Sequence, residues 1–568
     1  MVLARWWPLL ASLVIAALLA IAATTPPAPR DATAPADAFS AARAMIDIRE
    51  ISRAPHPTGS ADNARVRAWL VGRLTGLGLT VRQTSAPLSA KGAARLRKWS
   101  GSAAVTPLVN IVATLPGNNP AAPAVVLMAH YDSVWGSPGA ADDGAGIASA
   151  LEIVRAVKAE LRRRTLMVVF TDGEELGLEG GHALAASDPD RGRIGVIVNL
   201  ETRGGGGRAA MFETGHDNGA MMRLFGETVV HPSATSLSVL IYELLPNSTD
   251  FTPAKSLGLP GFNFAFIGRP AYYHSPLATA ANLDRGALQD MGGQVLDLVR
   301  ALLTAPRLPG KAPNLVFFDA FGLSLVRYSA AAGWLVIGAA IILFAAAGRR
   351  ARAGVGDLLR GFAAVMATVV IAAGLLTGVN LLSGASKGAN YYDRLAAIPR
   401  LEVQALLIAT ATIGFVLAVF QSRQRQAEAL ATGIALPLLV LGVVVQAAAP
   451  TAAYVVGGPL LLAGLAVAGY AFAPRLGTPV VVIAAALGTG YLLGFSFFLI
   501  EAIGPDTPGA AALPLALIAA LLWPLVPAVP SRRAATAGLV LLVAAIGIAL
   551  WVRLDPIAAT VPLYSLKS

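Results

Sequence analysis

The sequence predicts two parts of different fold class. The first is an α/β domain on a mostly parallel mixed sheet with helices on both faces. The second is an all-α polytopic membrane domain. Three observations carry this. Residues 1–310 hold 28 Lys and Arg and 25 Asp and Glu, against 16 and 8 in residues 311–568. The front part alternates short apolar runs with amphipathic segments, as a sheet interleaved with helices does. The back part strings together apolar stretches of bilayer-spanning length. Over all 568 residues the chain is 55% hydrophobic and 14% charged, with a net charge of +11. Soluble domains average about 45–50% apolar and about 25% charged, so an ordinary cytosolic globular protein and a disordered chain are both excluded. With no cysteine there is no disulfide, thiolate zinc site, iron–sulfur cluster or thiol nucleophile.

The membrane part is read first. One Arg precedes an apolar run from Trp6 to Ala23, followed by a Pro-rich stretch. Residues 1–28 therefore form a signal anchor or, given the small-residue pattern Ala20-Ile21-Ala22, a cleavable signal peptide. After residue 325, spans are expected at 329–347, 361–383, 401–420, 429–449, 454–472, 478–500, 509–529 and 535–552. The breaks alternate in charge. Arg349, Arg350, Arg352 and Arg360 lie in the first, Arg423 and Arg425 in the third, Arg475 in the fifth, and Arg532 and Arg533 in the seventh. Lys and Arg favour the cytoplasmic side, so these breaks are expected inside. The front domain and the tail 553–568 are then expected outside. The same bias accounts for the positive balance, so membrane lipid and not nucleic acid is the expected surroundings.

In the front part, residues 62–77 read as a helix, and residues 79–84 and 108–114 as strands. Three further runs are nearly all apolar, as strands covered on both faces should be. Ala124–Ala129 ends at His130, Leu166–Thr171 runs into Asp172-Gly173-Glu174-Glu175, and Gly195–Leu200 ends at Glu201. Each puts a metal-capable side chain at the carboxyl end of a strand, the edge where open α/β sheets bind ligands. Between the first two runs, PGAADDGAG (138–146) leads into an apolar-periodic helix at about 147–160.

Taken singly, these features are bland. The acidic pair Asp142-Asp143 reads as a helix cap, His130 as a polar strand end, and Glu174-Glu175 as an acidic loop. Asp132, two residues after His130 in extended chain, faces the same way and could accept the second ring N–H of a metal-bound imidazole. Together, His, Asp and Glu on successive strand ends form a metal-ligand constellation. Two divalent ions need about five protein ligands, one of them bridging, and a nearby carboxylate as base.

The strings HYDS (130–133), GAADDGAG (139–146), DGEELGLEGG (172–181), NLE (199–201) and YYHS (272–275) resemble the co-catalytic zinc peptidases of the aminopeptidase Y and bacterial leucyl aminopeptidase type. The resemblance covers residues 40–305. It implies a zinc aminopeptidase-like domain there; the apolar stretches place a membrane domain of about eight helices at 329–552, with a linker at 306–328 between them. Such a peptidase followed by about eight spans is similar to vacuolar membrane protease and endoplasmic reticulum metallopeptidase. The resemblance implies two Zn²⁺ ions, with Asp142 bridging, His130 and Glu201 on one ion, and Glu175 and His274 on the other. It implies Glu174 as general base and Asp132 as the carboxylate behind His130. Tyr273, beside His274, is read either as an oxyanion donor or as a pocket aromatic. The position of Glu201 is Asp in many soluble members.

The expected activity is hydrolysis of peptide or protein substrates, with aminopeptidase action, outside the cytoplasm. Two rival readings stand beside it: a glutaminyl-cyclase-like zinc enzyme, and an inactive ectodomain on a transporter or receptor. His56 in Pro-His-Pro-Thr-Gly-Ser reads as part of a turn, and His182, His216 and His231 as surface or supporting residues. Gly204–Gly207 reads as a flexible loop and not a phosphate cradle, since no Lys-Ser/Thr pair follows.

Overall fold

The computed structural model describes residues 3–101, 105–384, 391–421, 427–473 and 477–555. The chain divides into two compact units. Among the described residues, one holds 25–327, and the other holds the N-terminal helix with residues 328–555.

The first unit is built on a seven-stranded sheet: β1 (Thr80–Ala86), β2 (Leu108–Leu115), β3 (Ala124–His130), β4 (Leu166–Thr171), β5 (Ile194–Thr202), β6 (Gly206–Thr214) and β7 (Gly261–Gly268). Their order is β1-β2-β4-β3-β5-β7-β6. The centre, β4-β3-β5-β7, is parallel; β1, β2 and β6 join antiparallel. Every residue of β3 and β4 is buried, which explains their unbroken apolar runs.

Alternation along these strands feeds two cores. Val125, Leu127, Ala129, Val168, Phe170, Val196 and Val198 point to one face, where the helices Ala41–Ile51, Gly144–Val157 and Arg285–Thr304 cover them. Val126, Met128, Met167, Val169 and Ile197 point to the other, against the helices Glu179–Ser187 and Phe251–Ser256. A mixed sheet with helices on both faces is thus the fold. Register sets the site: His130 pairs with Thr171, Met128 with Asn199 and Glu201 with Ala265, so the ligand-bearing strands end side by side.

Two local differences from the sequence reading have clear causes. The helix expected from residue 147 begins at Gly144. Asp143 caps it by accepting the Gly146 N–H at 3.0 Å, so the glycine turn becomes the first helical turn. The glycine run at 204–207 is packed and not flexible. Gly206 pairs with Gly268 in the ladder, and a Cβ on Gly204 would lie 2.1 Å from the Gly268 carbonyl. Residues 306–328 contain the strand β8 (Leu315–Asp319) and run into β9 (Leu325–Ser329), which form a separate two-stranded sheet.

Helix Arg285–Thr304 packs its Gly292 against the ring of fully buried Phe39, only 2.1 Å from where a Cβ would sit. Gly292→Ala should therefore cost about 1–3 kcal/mol through overpacking, despite the better helix propensity of Ala. Denaturation followed by tryptophan fluorescence measures this. An unchanged midpoint would show that Phe39 can move aside.

In the second unit, nine helices among the described residues are long and apolar enough to cross a membrane. They are Arg5–Thr24, Ala330–Arg350, Val355–Leu382, Ile398–Phe420, Glu428–Ala448, Tyr454–Phe472, Thr478–Asp506, Pro508–Leu525 and Ser531–Leu554. The chain is a multi-pass membrane protein. Without a water-driven hydrophobic force in lipid, close packing holds such helices together. A Cβ on Gly361 would lie 2.3 Å from the Leu430 carbonyl, and one on Gly433 would lie 2.5 Å from that of Leu358. Helices Val355–Leu382 and Ala427–Ala448 thus touch backbone to backbone through reciprocal glycines. Most of the expected tail 553–568 lies outside the described residues.

Candidate metal centre

The carboxyl ends of β3, β4 and β5 and the turn after β7 deliver seven titratable side chains to one cleft. His130 closes β3, and Glu201 lies near the end of β5. Glu174 and Glu175 follow β4, and Asp142 and Asp143 end the loop that leaves β3. His274 follows the turn Pro270–Tyr272, in the left-handed region with φ 51°.

Asp142 stands at the centre. Its Oδ1 lies 3.1 Å from His130 Nε2, and its Oδ2 lies 3.0 Å from His274 Nε2. Glu201 Oε2 is 3.7 Å from His130 Nε2, and Glu175 Oε1 is 3.0 Å from His274 Nε2. Two triads result, His130/Asp142/Glu201 and Asp142/Glu175/His274, each with ligand atoms within 4.8 Å of one another. His130, Glu174 and Glu175 satisfy the same distance criterion. All five expected ligands and Glu174 therefore converge.

Asp132 takes a fuller part than expected. Its backbone carbonyl lies 2.9 Å from His130 Nδ1, while its carboxylate stands 3.5 Å away. That carboxylate instead accepts the backbone N–H groups of Glu174 and Glu175, at 3.1 and 3.2 Å. One residue thus orients the first imidazole and pins the acidic loop.

Three further carboxylates support the cleft. Asp143 accepts the His130 N–H at 3.3 Å. Asp172 accepts from Thr58 Oγ1 at 2.9 Å, Asn63 Nδ2 at 3.3 Å and the Val109 N–H at 3.0 Å, tying the 56–60 turn to the site. Asp250 accepts from Thr171 Oγ1 and, at 3.1 Å, from the Gly181 N–H. Asp172 meets Thr58 across 114 residues and Asp250 meets Thr171 across 79, so these two contacts are made by the tertiary fold.

Tyr273 is half-buried, its ring stacked on that of His274 with centroids 3.7 Å apart. His56 is buried beneath the 139 turn, and burial pushes its imidazole down to about 4, so it stays neutral. His182, His216 and His231 are exposed. A separate cavity of about 230 Å³, lined by residues including Thr214, Asn218 and Lys255, contains none of the cluster.

The electrostatics call for a cation. Burial and mutual repulsion push Glu174, Glu175, Glu201 and Asp143 above the usual carboxylate range. For Asp142 burial acts upward too, but hydrogen bonds to His130 and His274 outweigh it and hold the carboxyl well below that range. Burial would lower His274, yet Glu175 and Asp142 raise it to about 10. Carboxylates and imidazoles are the donor types that divalent zinc accepts, so these residues fit such an ion.

A pH dependence follows. Paired with Asp142 and Glu175, His274 stabilises the metal-free fold fully below its unfolded value of about 6.5. This contribution is lost as pH rises through about 10. At neutral pH an incoming ion must displace the His274 proton. Apparent zinc affinity should therefore rise with pH, with protons released on binding. Calorimetry in buffers of different ionisation enthalpy measures the release, and pH-independent affinity would contradict it.

The fold and this cleft define an α/β domain with a candidate metal site of His and carboxylate ligands at its strand ends. Residues 110–299 match the family model described as Peptidase family M28. Two relatives are similar over this region, one of them a membrane protein by name. "Endoplasmic reticulum metallopeptidase 1" of Mus musculus is 29% identical over 238 residues, 40% of this chain and 26% of that protein. "Vacuolar membrane protease" of Candida albicans (strain WO-1) is 31% identical over 259 residues, 45% of this chain and 29% of that protein. The chain thus spans little more than a quarter of the length of these relatives. Among solved structures, an aminopeptidase from Aneurinibacillus sp. strain AM-1 is 16% identical with a TM-score of 0.39, over 49% of this chain and 98% of that one.

Proposed function

We propose that the chain is a membrane-anchored zinc metallopeptidase that binds two ions per chain and removes amino-terminal residues outside the cytoplasm. One observation carries the reading: the two oxygens of Asp142 face two different imidazoles, at 3.1 and 3.0 Å. A carboxylate placed this way suits a bridge between two ions. His130 and Glu201 would hold one ion, and Glu175 and His274 the other. The similarity to relatives named as a metallopeptidase and a membrane protease supports the same assignment.

Bound there, zinc supplies Lewis acidity, polarising the peptide carbonyl and lowering the pKa of the attacking water toward about 7. Glu174 takes the proton of that water and passes it to the departing amine, so the proton count closes. Asp132 holds Glu174 in place through its backbone N–H. Burial and the surrounding carboxylates raise the Tyr273 phenol well above its ordinary value, so it stays protonated as a hydrogen-bond donor to the developing oxyanion. Arginines in alternate membrane breaks support the outward side for the domain.

The test is direct. Protein purified in detergent should carry about two zinc ions per chain and hydrolyse aminoacyl arylamides. A chelator should abolish activity and zinc should restore it. Full activity in metal-free protein overturns the zinc-dependent reading, and no hydrolysis by the zinc-loaded protein overturns the peptidase reading. Equal cleavage of amino-blocked peptides overturns the aminopeptidase assignment. Because the chain lacks cysteine, single cysteines introduced at exposed sites report orientation through an impermeant thiol reagent. Labelling from the cytoplasmic side alone overturns the outward assignment.

A further inference from the structure

The connection between β1 and β2 opens at the same end of the sheet as the cleft. Ile111 of β2 pairs with Phe170 of β4, and the Val109 N–H reaches the Asp172 carboxylate. That connection carries the helix Ala90–Ser100. The helix is fastened to the loop that bears Glu174 and Glu175. Ser89, its N-cap, gives its backbone N–H to Glu179 Oε2 at 2.7 Å and its hydroxyl to Glu179 Oε1. Arg95 Nη1 donates to the backbone carbonyl of Glu175 at 3.0 Å.

The helix carries one sign of charge. Its sequence AKGAARLRKWS holds Lys91, Arg95, Arg97 and Lys98 and no acid. At 3.6 residues per turn, Lys91, Arg95 and Lys98 (i, i+4, i+7) share one face. Gly92 and Leu96 make the buried face beside it, and Arg97 falls on the opposite flank of that buried face. The bond from Arg95 shows that the stripe of three is the flank nearer Glu175.

The arginines Arg43, Arg73, Arg82, Arg155 and Arg208 of the same domain each pair with a carboxylate. Arg95 and Lys91 form no ion pair among the described residues. Arg95 spends one N–H on a neutral carbonyl. A guanidinium placed this way keeps donors for an incoming carboxylate, which it accepts best through two parallel N–H bonds.

We propose that the stripe of Lys91, Arg95 and Lys98 receives a carboxylate on the leaving part of the substrate. The inference rests on the proposed aminopeptidase function. In that reaction a single residue lies on the amino side of the scissile bond, so the chain running on past the metals is the leaving part. Glu174, Glu175 and Glu201 make the cleft itself acidic, and the stripe offsets their repulsion of an anionic substrate. An acidic side chain and the free carboxyl terminus of a short peptide offer the same chemistry.

Two measurements on the full chain in detergent test this. Both use leucyl tripeptide amides with aspartate second, with aspartate third, or with glycine at both places, and the last of these also as its free acid. Calorimetry on zinc-incubated Glu174→Gln protein reads binding without turnover. Amine release by the unaltered chain reads kcat/KM. At low salt, at least one anionic peptide should bind and turn over about five- to tenfold better than the neutral amide, and which one does so identifies the source of the carboxylate. Salt should shrink the preference. Arg95→Gln should cut it by about fivefold and Lys91→Gln by about twofold, while Arg97→Gln leaves it intact. The readout is the ratio between anionic and neutral peptides in one protein, so a general loss of activity through the hold of Arg95 on Glu175 cancels. If Arg95→Gln does not fold, Lys91→Gln and Arg97→Gln carry the comparison. Three outcomes overturn the inference: no preference in the unaltered chain, a preference untouched in folded Arg95→Gln and Lys91→Gln, or an equal loss in Arg97→Gln. Hydrolysis without preference overturns this inference alone. Preferential binding without hydrolysis of any peptide overturns the peptidase function and leaves the anion-binding stripe supported.

Discussion

Glu174→Gln is expected to lower the turnover of aminoacyl arylamides by about 10³-fold while leaving zinc content unchanged. Gln keeps the size of the side chain but cannot take a proton from water. The loop that holds it is fixed from behind. Asp132 binds the backbone N–H of residue 174, not its side chain, so the substitution leaves that anchor intact. Glu174 is raised by burial and by the neighbouring carboxylates and lowered by His130, a balance that a divalent ion would tilt toward the charged form. The loss should fall on kcat, with KM little altered. Unchanged turnover at full metal content would remove Glu174 from the proton-transfer role and return attention to Glu175 and Glu201.

Asp142→Asn is expected to do more. The carboxylate serves both imidazoles, so replacing it strikes both triads at once. An amide presents one oxygen and one NH₂. Whichever way it turns, one histidine faces a donor where it faced an anion. Zinc should fall from about two ions per chain to less than about one, and activity by at least about 10³-fold. The fold should survive, because the sheet beneath is held by an apolar core that Asp142 does not enter. Circular dichroism with metal quantification checks both halves. Two tightly held ions in the variant would mean that Asp142 does not bridge.

Much of the fold was readable because its centre is monotonous. Leu166–Phe170 is apolar at every position, and the strand occupies those five residues and Thr171. Spans such as Tyr454–Phe472 were equally plain, being too long and apolar to be anything else. The helix start at Gly144 is not legible in the sequence because glycines read as a turn, whereas here Asp143 captures them into the helix. The run at 204–207 differs from its sequence expectation for a related reason. Glycine signals flexibility in sequence but permits contact in three dimensions, and only the approach of Gly268 shows which applies.

The site divides along the same line. Residues at strand ends, such as His130 and Glu201, announce themselves through the run that precedes them. Asp172 and Asp250 do not, since their roles depend on Thr58 and Gly181, brought in by folding. The carboxylate of Asp132 was expected behind the imidazole. It lies nearer the two backbone N–H groups, which are better aligned donors, and the carbonyl of the same residue fills the vacant place.

The strand order carries a consequence for how the domain is made. β3 sits between β4 and β5, yet precedes both along the chain. It therefore emerges during synthesis with two bare edges, and neither closes until later residues arrive. Open edges of apolar strands invite pairing with other chains. Contacts so distant in sequence also slow folding. His274 comes later still, after β7 has docked beside β5. Both triads can be whole only once the sheet is nearly closed. His130, Asp142 and Glu201, by contrast, have all been made once β5 is complete, so the two ligand sets are finished at different stages of synthesis.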